Sequence, residues 1–319
     1  MAKSILITPR SLTQSGHPAL KRFTEAGYEL VMSRRGVQPS EEELIALLPG
    51  CVGMLAGVEP ITARALEAAK DLKVIGRNGV GVDNIDLEAA RRLGIRVCPA
   101  IGSNARGVAE LTIGLMLALA RSIPFSDAAL KPGRWERRSG FELEGKTLGL
   151  LGCGRIGRDV ARMAIGMGMR VLAFDPVQDE GFARRLLGKS FRYAPMDEVL
   201  STGDVISLHC PPPIDGKAIL DAEAIGRMKM GVLLINTARA ALLDNQAVLE
   251  ALDSGHVAGL ATDVFHHEPP GENPLIKHSR VIATPHIGGY TAESVGRAVS
   301  MAVDMMLDCL KGSVKEQGR

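Results

Sequence analysis

The sequence predicts an α/β fold: two Rossmann-like or flavodoxin-like domains, each built on a parallel sheet. Three observations lead there. Short apolar runs alternate with helical patterns along nearly the whole chain, which is the signature of parallel strands joined by helical crossovers. A glycine turn, Gly152-Cys153-Gly154-Arg155-Ile156-Gly157, sits in mid-chain between a strand and a helix. The chain has 319 residues, of which 46% are hydrophobic, enough for two cores.

The first half reads in order. Ile5–Thr8, Glu29–Met32, Val52–Leu55, Val74–Arg77 and Arg96–Cys98 are short apolar runs of strand length. Between them, Ala19–Ala26, Glu41–Leu48, Ala63–Ala69 and Leu87–Leu93 carry helical periodicity. The loop Arg77-Asn78-Gly79-Val80-Gly81-Val82-Asp83-Asn84 follows a strand, where ligands gather in open α/β sheets. Its glycines let backbone N–H groups face outward, as a carboxylate cradle or simply as a strand-to-helix connection. Pro99–Asn104 reads as a linker, and Val108–Arg121 as a long apolar helix between domains. Trp135, the only tryptophan, stands among Arg134, Glu136, Arg137 and Arg138, a setting that predicts partial exposure.

The centre of the chain is more specific. Thr147–Leu151 is a buried strand, Asp159–Met167 a helix and Arg170–Phe174 a second strand ending in Asp175. A lone G-x-G-x-x-G is a weak signal; a strand before it, a helix after it and an acid at the next strand end make the dinucleotide fingerprint. Gly152 permits the tight turn, Gly154 lets backbone approach a pyrophosphate, and Gly157 lets helix and strand pack closely. Arg155 and Ile156 lie in the turn, and the helix start offers N–H groups and partial positive charge to phosphates. Asp175 can accept hydrogen bonds from a ribose diol and would repel a 2′-phosphate, which favours NAD over NADP.

Val205–His209, Val232–Asn236, Gly259–Thr262 and Val281–Thr284 continue the strands, and Thr291–Leu310 is a long final helix. The loops after those strands hold His209-Cys210-Pro211, Thr237-Ala238-Arg239, Asp263 to Glu268, and Pro285-His286-Ile287-Gly288-Gly289. Polar groups at four strand ends point to a single crevice. The closing KGSVKEQGR is polar and is expected to fray.

Composition excludes several classes. The net charge of +2 and the scatter of Lys and Arg among acids argue against a nucleic-acid groove, and 3% aromatics leave little for base stacking. Five cysteines with no C-x-x-C pair read as reduced thiols. MAKSILITPR has too short an apolar core for a signal peptide, and Leu111–Ala120 is too short to span a bilayer. The expectation is a cytoplasmic protein with no membrane or nucleic-acid partner. His266, His267 and Glu268 lie together, but the remaining ligands are not spaced for zinc, so no metal is expected.

Five ordered motifs, GRNGVGVDNID, GCGRIG with Asp175, LHCPP, INTARA, and DVFHHEPP followed by TPHIGG, resemble those of the D-isomer-specific 2-hydroxyacid dehydrogenases. The resemblance covers nearly the whole chain. It implies a substrate domain from both chain ends, residues 1–98 and 287–319, with an NAD-binding Rossmann domain, 99–286, inserted between them. It implies His286 as general acid/base, Glu268 as the carboxylate that orients it, and Arg239 as the arginine for the substrate carboxylate. Histidine suits the proton transfer because its ordinary pKa lies near ~6.5. Val80 and Gly81 would donate N–H groups to the same carboxylate, Arg77 and Asn78 are the best local candidates for a charged distal group, and Asn104 would lie near the cleft. Ala238 and Asp263 would meet the nicotinamide carboxamide, His209 and Pro211 would line the adenine and ribose side, and Thr237 and Gly288 would also bind the cofactor. Trp135 matches a family tryptophan that reaches toward a partner subunit, which implies a homodimer.

KPGRWERRSGFELEGKTLGLLGCGRIGR is most similar to phosphoglycerate dehydrogenases of the form lacking a terminal serine-sensing domain. Three departures stand beside that. Leu55-Ala56-Gly57-Val58-Glu59 has no Arg or Lys where some members carry an arginine for the substrate phosphate. The chain ends soon after its last helix. Ala240-Ala241 replaces the usual Gly-Gly. Reduction of glyoxylate, hydroxypyruvate or another 2-keto acid is the alternative within the family, and an NAD-sensing corepressor the alternative outside catalysis. Glu268 speaks against a formate dehydrogenase, which resembles this pattern but has glutamine there.

Overall fold

The computed structural model describes residues 3–186 and 190–312. Packing divides the chain into Met1–Asn104 with Gly289–Arg319, called unit 1, and Ala105–Gly288, called unit 2. The expectation for the tail falls largely on residues 313–319, outside the described residues.

Unit 1 runs β1 (Ser4–Ile7), α1 (Arg10–Ser15), α2 (Lys21–Glu25), β2 (Glu29–Met32), α3 (Glu41–Leu47), β3 (Cys51–Ala56), α4 (Ala63–Ala68), β4 (Val74–Arg77), α5 (Leu87–Arg92) and β5 (Arg96–Pro99). Among the described residues these strands form one sheet in the order β2-β1-β3-β4-β5, and every pairing is parallel. All six residues of β3 are buried, as expected for a strand covered on both faces. Edge strand β2 is only partly covered. The helix expected at Ala19–Ala26 is a 3-10 turn, Pro18–Leu20, followed by α2. Helix α1 gave no sequence signal because only Leu12 of its six residues is buried. Helix α3 starts in a full capping box, with the Ser40 and Glu43 side chains each bonded to the other's backbone N–H.

The C-terminal helix, Ala292–Leu310, packs on β4, β3 and β5. Glycine makes that docking close. A Cβ on Gly76 would lie 2.5 Å from Met306 Sδ, and one on Gly53 would lie 3.0 Å from Met306 Cε. The turn after β5 also belongs here: Ala100 N–H donates to Gly79 O (2.9 Å), and Arg297 Nε to Ser103 O (2.8 Å).

Unit 2 starts with α6 (Ala105–Ala120) and α7 (Ile123–Leu130), separated at Ser122, whose φ of 49° breaks the helix. The expected helix Val108–Arg121 is α6, which starts three residues earlier, and α7 was not expected. Then follow β6 (Thr147–Leu151), α8 (Arg155–Gly166), β7 (Arg170–Phe174), α9 (Glu180–Arg185), β8 (Phe191–Tyr193), α10 (Met196–Thr202) and β9 (Val205–Leu208). The unit closes with α11 (Ala222–Gly226), β10 (Val232–Asn236), α12 (Asn245–Ser254), β11 (Val257–Thr262), α13 (Pro274–Lys277) and β12 (Val281–Ala283). The sheet order is β12-β11-β10-β9-β6-β7-β8, all parallel among the described residues. β6 and β10 are buried along their whole length, with apolar clusters on both faces of the sheet.

Among the described residues no single helix is long and apolar enough to cross a membrane; α6 with α7 passes that test only as a pair bent by 63°. Half of α6 is buried against α8, β10 and β11.

Candidate active site

The glycine turn connects β6 to α8 at the point where the strand order of unit 2 reverses, between β6 and β9. Helix α8 begins at Arg155, not at the expected Asp159, with Gly154 as N-cap. The turn and the first helical N–H groups are therefore one structure. Gly152 has a φ of 99°, and a Cβ there would come within 2.5 Å of the His209 backbone carbonyl carbon. A Cβ on Gly157 would meet Gly152 O at 2.3 Å. Gly154 and Arg155 are exposed, Ile156 is half-buried, and nothing lies within 4 Å of where a Cβ on Gly154 would be. Two glycines serve close packing and the third leaves backbone open to a ligand. That division fits a pyrophosphate at a helix N-terminus.

Asp175 lies one residue past β7. Its Oδ2 accepts from Cys153 N–H (2.7 Å) and its Oδ1 from Val177 N–H (2.8 Å). Those bonds fix the carboxylate beside the turn, and each oxygen keeps a further lone pair for a ribose hydroxyl. His209 follows β9. Its Nε2 pairs with Ser207 Oγ at 2.9 Å, while Nδ1 is buried without a partner among the described residues. Burial pushes this imidazole down to about 3, so it stays neutral. Pro211 is exposed two residues on.

The second cluster of unit 2 is made by the loops after β10, β11 and β12. His286 Nδ1 pairs with Glu268 Oε2 at 2.7 Å, and Phe265 N–H donates to Glu268 Oε1 (3.1 Å). The two side chains keep 50% and 38% exposure, so the imidazole is held but reachable. With Nδ1 committed to the carboxylate, Nε2 is the nitrogen left to exchange a proton. His286 has a φ of 52°, in the left-handed region that costs a non-glycine residue about 1–2 kcal/mol. Asp263, 1% exposed, holds it there. Its Oδ1 accepts from the Thr284 hydroxyl (2.6 Å) and Ile287 N–H (2.8 Å), its Oδ2 from Gly288 N–H (2.8 Å). The side-chain bonds of Asp263, a residue expected on the nicotinamide side, hold the loop of His286. Gly288 is buried, and a Cβ on it would sit 3.1 Å from Asp263 Oδ2.

Asn236, the last residue of β10, shapes the third loop. Its amide donates to Arg239 O (2.9 Å) and accepts from Ala238 N–H (3.0 Å). Thr237 is buried with its hydroxyl 2.9 Å from that of Thr112. Half-buried Arg239 donates from Nη1 to Ala238 O at 2.8 Å. Ala240–Leu242 is a 3-10 turn with no positive φ, so alanine there brings no backbone strain.

In unit 1, the loop after β4 is tied to its sheet by Asn78 N–H, which donates to Ala56 O at 2.9 Å. Asn78 Oδ1 is buried with no hydrogen-bond partner among the described residues. Val80 and Gly81 are half-buried. Asn104 packs against Gly289, where a Cβ would meet its Nδ2 at 3.2 Å. Asn236, Thr284 and Ser207 were not singled out from the sequence. The first two lie inside INTARA and TPHIGG, next to residues that were, and buried amides and hydroxyls at strand ends are the signal that could have marked them.

The strand ends of one sheet thus carry both an imidazole–carboxylate pair and a dinucleotide turn. Residues 113–288 match the family described as D-isomer specific 2-hydroxyacid dehydrogenase, NAD binding domain. The chain belongs to that family, and its cofactor is NAD. Human D-3-phosphoglycerate dehydrogenase is 38% identical over 304 residues, which are 94% of this chain and 56% of that protein. Hydroxypyruvate reductase of Thermotoga maritima is 39% identical over 84% of this chain and 90% of its own. The TT0316 protein of Thermus thermophilus has a crystal structure similar to this one, with a TM-score of 0.85 and 37% identity over 97% of both chains. The chain thus spans about half the length of the phosphoglycerate dehydrogenases it matches.

Proposed function

We propose that this chain is an NAD-dependent dehydrogenase that interconverts a 2-hydroxy acid of the glycerate class and its 2-keto acid. The observation that carries the reading is the His286–Glu268 pair, 2.7 Å apart, on a loop held in left-handed backbone by Asp263. Bound NAD supplies the hydride acceptor and donor. In the oxidative direction His286 Nε2 takes the hydroxyl proton, and Glu268 stabilises the imidazolium that forms. In the reductive direction the same nitrogen returns the proton to the carbonyl oxygen. Arg239 pairs with the substrate carboxylate through its planar fork and polarises the adjacent carbonyl. In unit 1, Val80 and Gly81 are proposed as backbone donors for a carboxylate, and Arg77, Asn78 and Asn104 as further substrate residues. Gly152, Gly154, Arg155, Ile156 and Gly157 take the pyrophosphate, Asp175 the adenosine ribose, and His209 and Pro211 the adenine side. Thr237, Ala238, Asp263 and Gly288 border the nicotinamide.

Both 3-phosphoglycerate and hydroxypyruvate are within this class. The first is supported by the phosphoglycerate dehydrogenase relatives, the second by the Thermotoga enzyme, which aligns over nearly its full length. A panel of glycerate, 3-phosphoglycerate, lactate and sulfolactate with NAD tests the reading; reduction of NAD with at least one acid is expected. No turnover with any acid, in either direction, would favour an NAD-sensing binding protein.

The same reading includes a homodimer. Trp135 is 79% exposed, and Ile123 and Leu130 of the preceding helix are 53% and 56% exposed, apolar side chains that a second copy could cover. Trp135→Ala is expected to shift the protein toward monomer in light scattering.

A further inference from the structure

In unit 1 the strand order β2-β1-β3-β4-β5 reverses between β1 and β3. Ligands of open parallel sheets settle at the carboxyl ends of the strands beside such a reversal. The residues at that place are Thr8, directly after β1, and Gly57 to Glu59, after β3. Glu59 is 1% exposed. Its Oε1 accepts from the Thr8 hydroxyl and, at 3.0 Å, from Gly57 N–H. Asn84 Nδ2 donates to Glu59 O at 2.7 Å and steadies the loop from the β4 side. The surroundings are shaped around this carboxylate. A Cβ on Gly57 would stand 2.7 Å from Glu59 Oε2 and 3.2 Å from Pro9 Cα. A carboxylate of the protein therefore occupies the strand ends beside the reversal and takes up the Thr8 hydroxyl and the Gly57 N–H there. At the end of the neighbouring strand β4, Arg77 Nη1 donates to Asn78 O, and a Cβ on Gly79 would meet that nitrogen at 2.6 Å.

We propose that Glu59 is a specificity-determining residue: it makes unit 1 accept 2-hydroxy acids with an uncharged distal group and reject their phosphorylated counterparts. The inference rests on the dehydrogenase reading and narrows its substrate class. Like charges brought together where the available donors are already used strongly disfavour a complex, whereas a hydroxymethyl group meets no such opposition.

The test uses the full chain with NADH and compares hydroxypyruvate with 3-phosphohydroxypyruvate. Wild type is expected to favour the unphosphorylated acid in kcat/KM on the order of 100-fold. Inorganic phosphate is expected not to compete with hydroxypyruvate. Glu59→Gln, which keeps the shape, should narrow the ratio by about tenfold, through a lower KM for the phosphorylated acid. Equal or better use of the phosphorylated acid by wild type, competitive inhibition by phosphate, or an unchanged ratio in folded Glu59→Gln overturns the proposal. If that variant does not fold, the wild-type ratio and the phosphate measurement decide. Turnover of neither acid refutes the dehydrogenase reading and this inference with it.

Discussion

His286 pays for its position with left-handed backbone, and Asp263 supplies the three hydrogen bonds that keep it there. Removing the orienting carboxylate should matter more to turnover than to binding. Glu268→Gln is expected to lower kcat by one to two orders of magnitude, on the scale of ~10²–10⁴ that positioned acid–base groups provide, with KM for NADH little changed. Unaltered kcat in steady-state assays would remove Glu268 from the mechanism. His209 makes a separate prediction about stability. Its imidazole is lowered to about 3 from an ordinary 6.5 by burial. Between those values the unfolded chain binds a proton that the folded chain does not. The contribution is complete above the unfolded value and is lost as pH falls toward the folded one, by at most about 1.4 kcal/mol per pH unit. His209→Gln should flatten this part of the acid-stability curve in denaturant titrations. Residues of this kind were legible to different degrees. His286, Glu268 and Arg239 were legible through the family motifs in which they stand, INTARA, DVFHHEPP and TPHIGG. Asn236 and Thr284 did not stand out, because their work is to bond backbone and neighbouring side chains, which no single-residue pattern reveals.

At the scale of elements, the turn between β6 and α8 is the clearest case of sequence dictating shape. Gly152 needs positive φ and also room beside the His209 backbone. Gly152→Ala is therefore expected to weaken NADH binding at least tenfold in fluorescence titration, while the far-ultraviolet dichroism stays near that of wild type. Normal affinity would show that the turn does not hold the cofactor. Asp175→Ala should raise the ratio of NADP to NAD turnover, because the carboxylate that disfavours a 2′-phosphate is gone. An unchanged preference would place the ribose contact elsewhere. Strands such as Thr147–Leu151, Arg170–Phe174 and Val232–Asn236 could be read to the residue because short apolar runs bounded by turn residues mark strands with buried centres. Helices were harder. Helix α8 starts four residues before the expected Asp159, since its first turn is built of Gly154 to Gly157 and carries no apolar period. Helices α1 and α7 each bury one residue, so the pattern that identifies amphipathic helices is nearly absent.

For the whole molecule, each unit places its chemistry at the carboxyl ends of parallel strands, and each has a reversal in strand order that marks where a ligand belongs. In unit 2 that place is a glycine turn left open for a dinucleotide; in unit 1 it is filled by Glu59. The contrast separates cofactor recognition, which belongs to the family, from substrate choice, which belongs to this chain. The order of five motifs carried the family, but Glu59 carried no meaning in sequence beyond the lack of a cation in its loop. Its burial and its bond to Thr8, 51 positions away, exist only in the folded chain. The most direct test of the central claim is NADH oxidation with hydroxypyruvate by wild type and His286→Ala, measured beside NADH affinity. Activity in the wild type, a loss of at least about a hundredfold in the variant and unchanged NADH binding are the results predicted. Near-normal turnover without the imidazole would contradict the account.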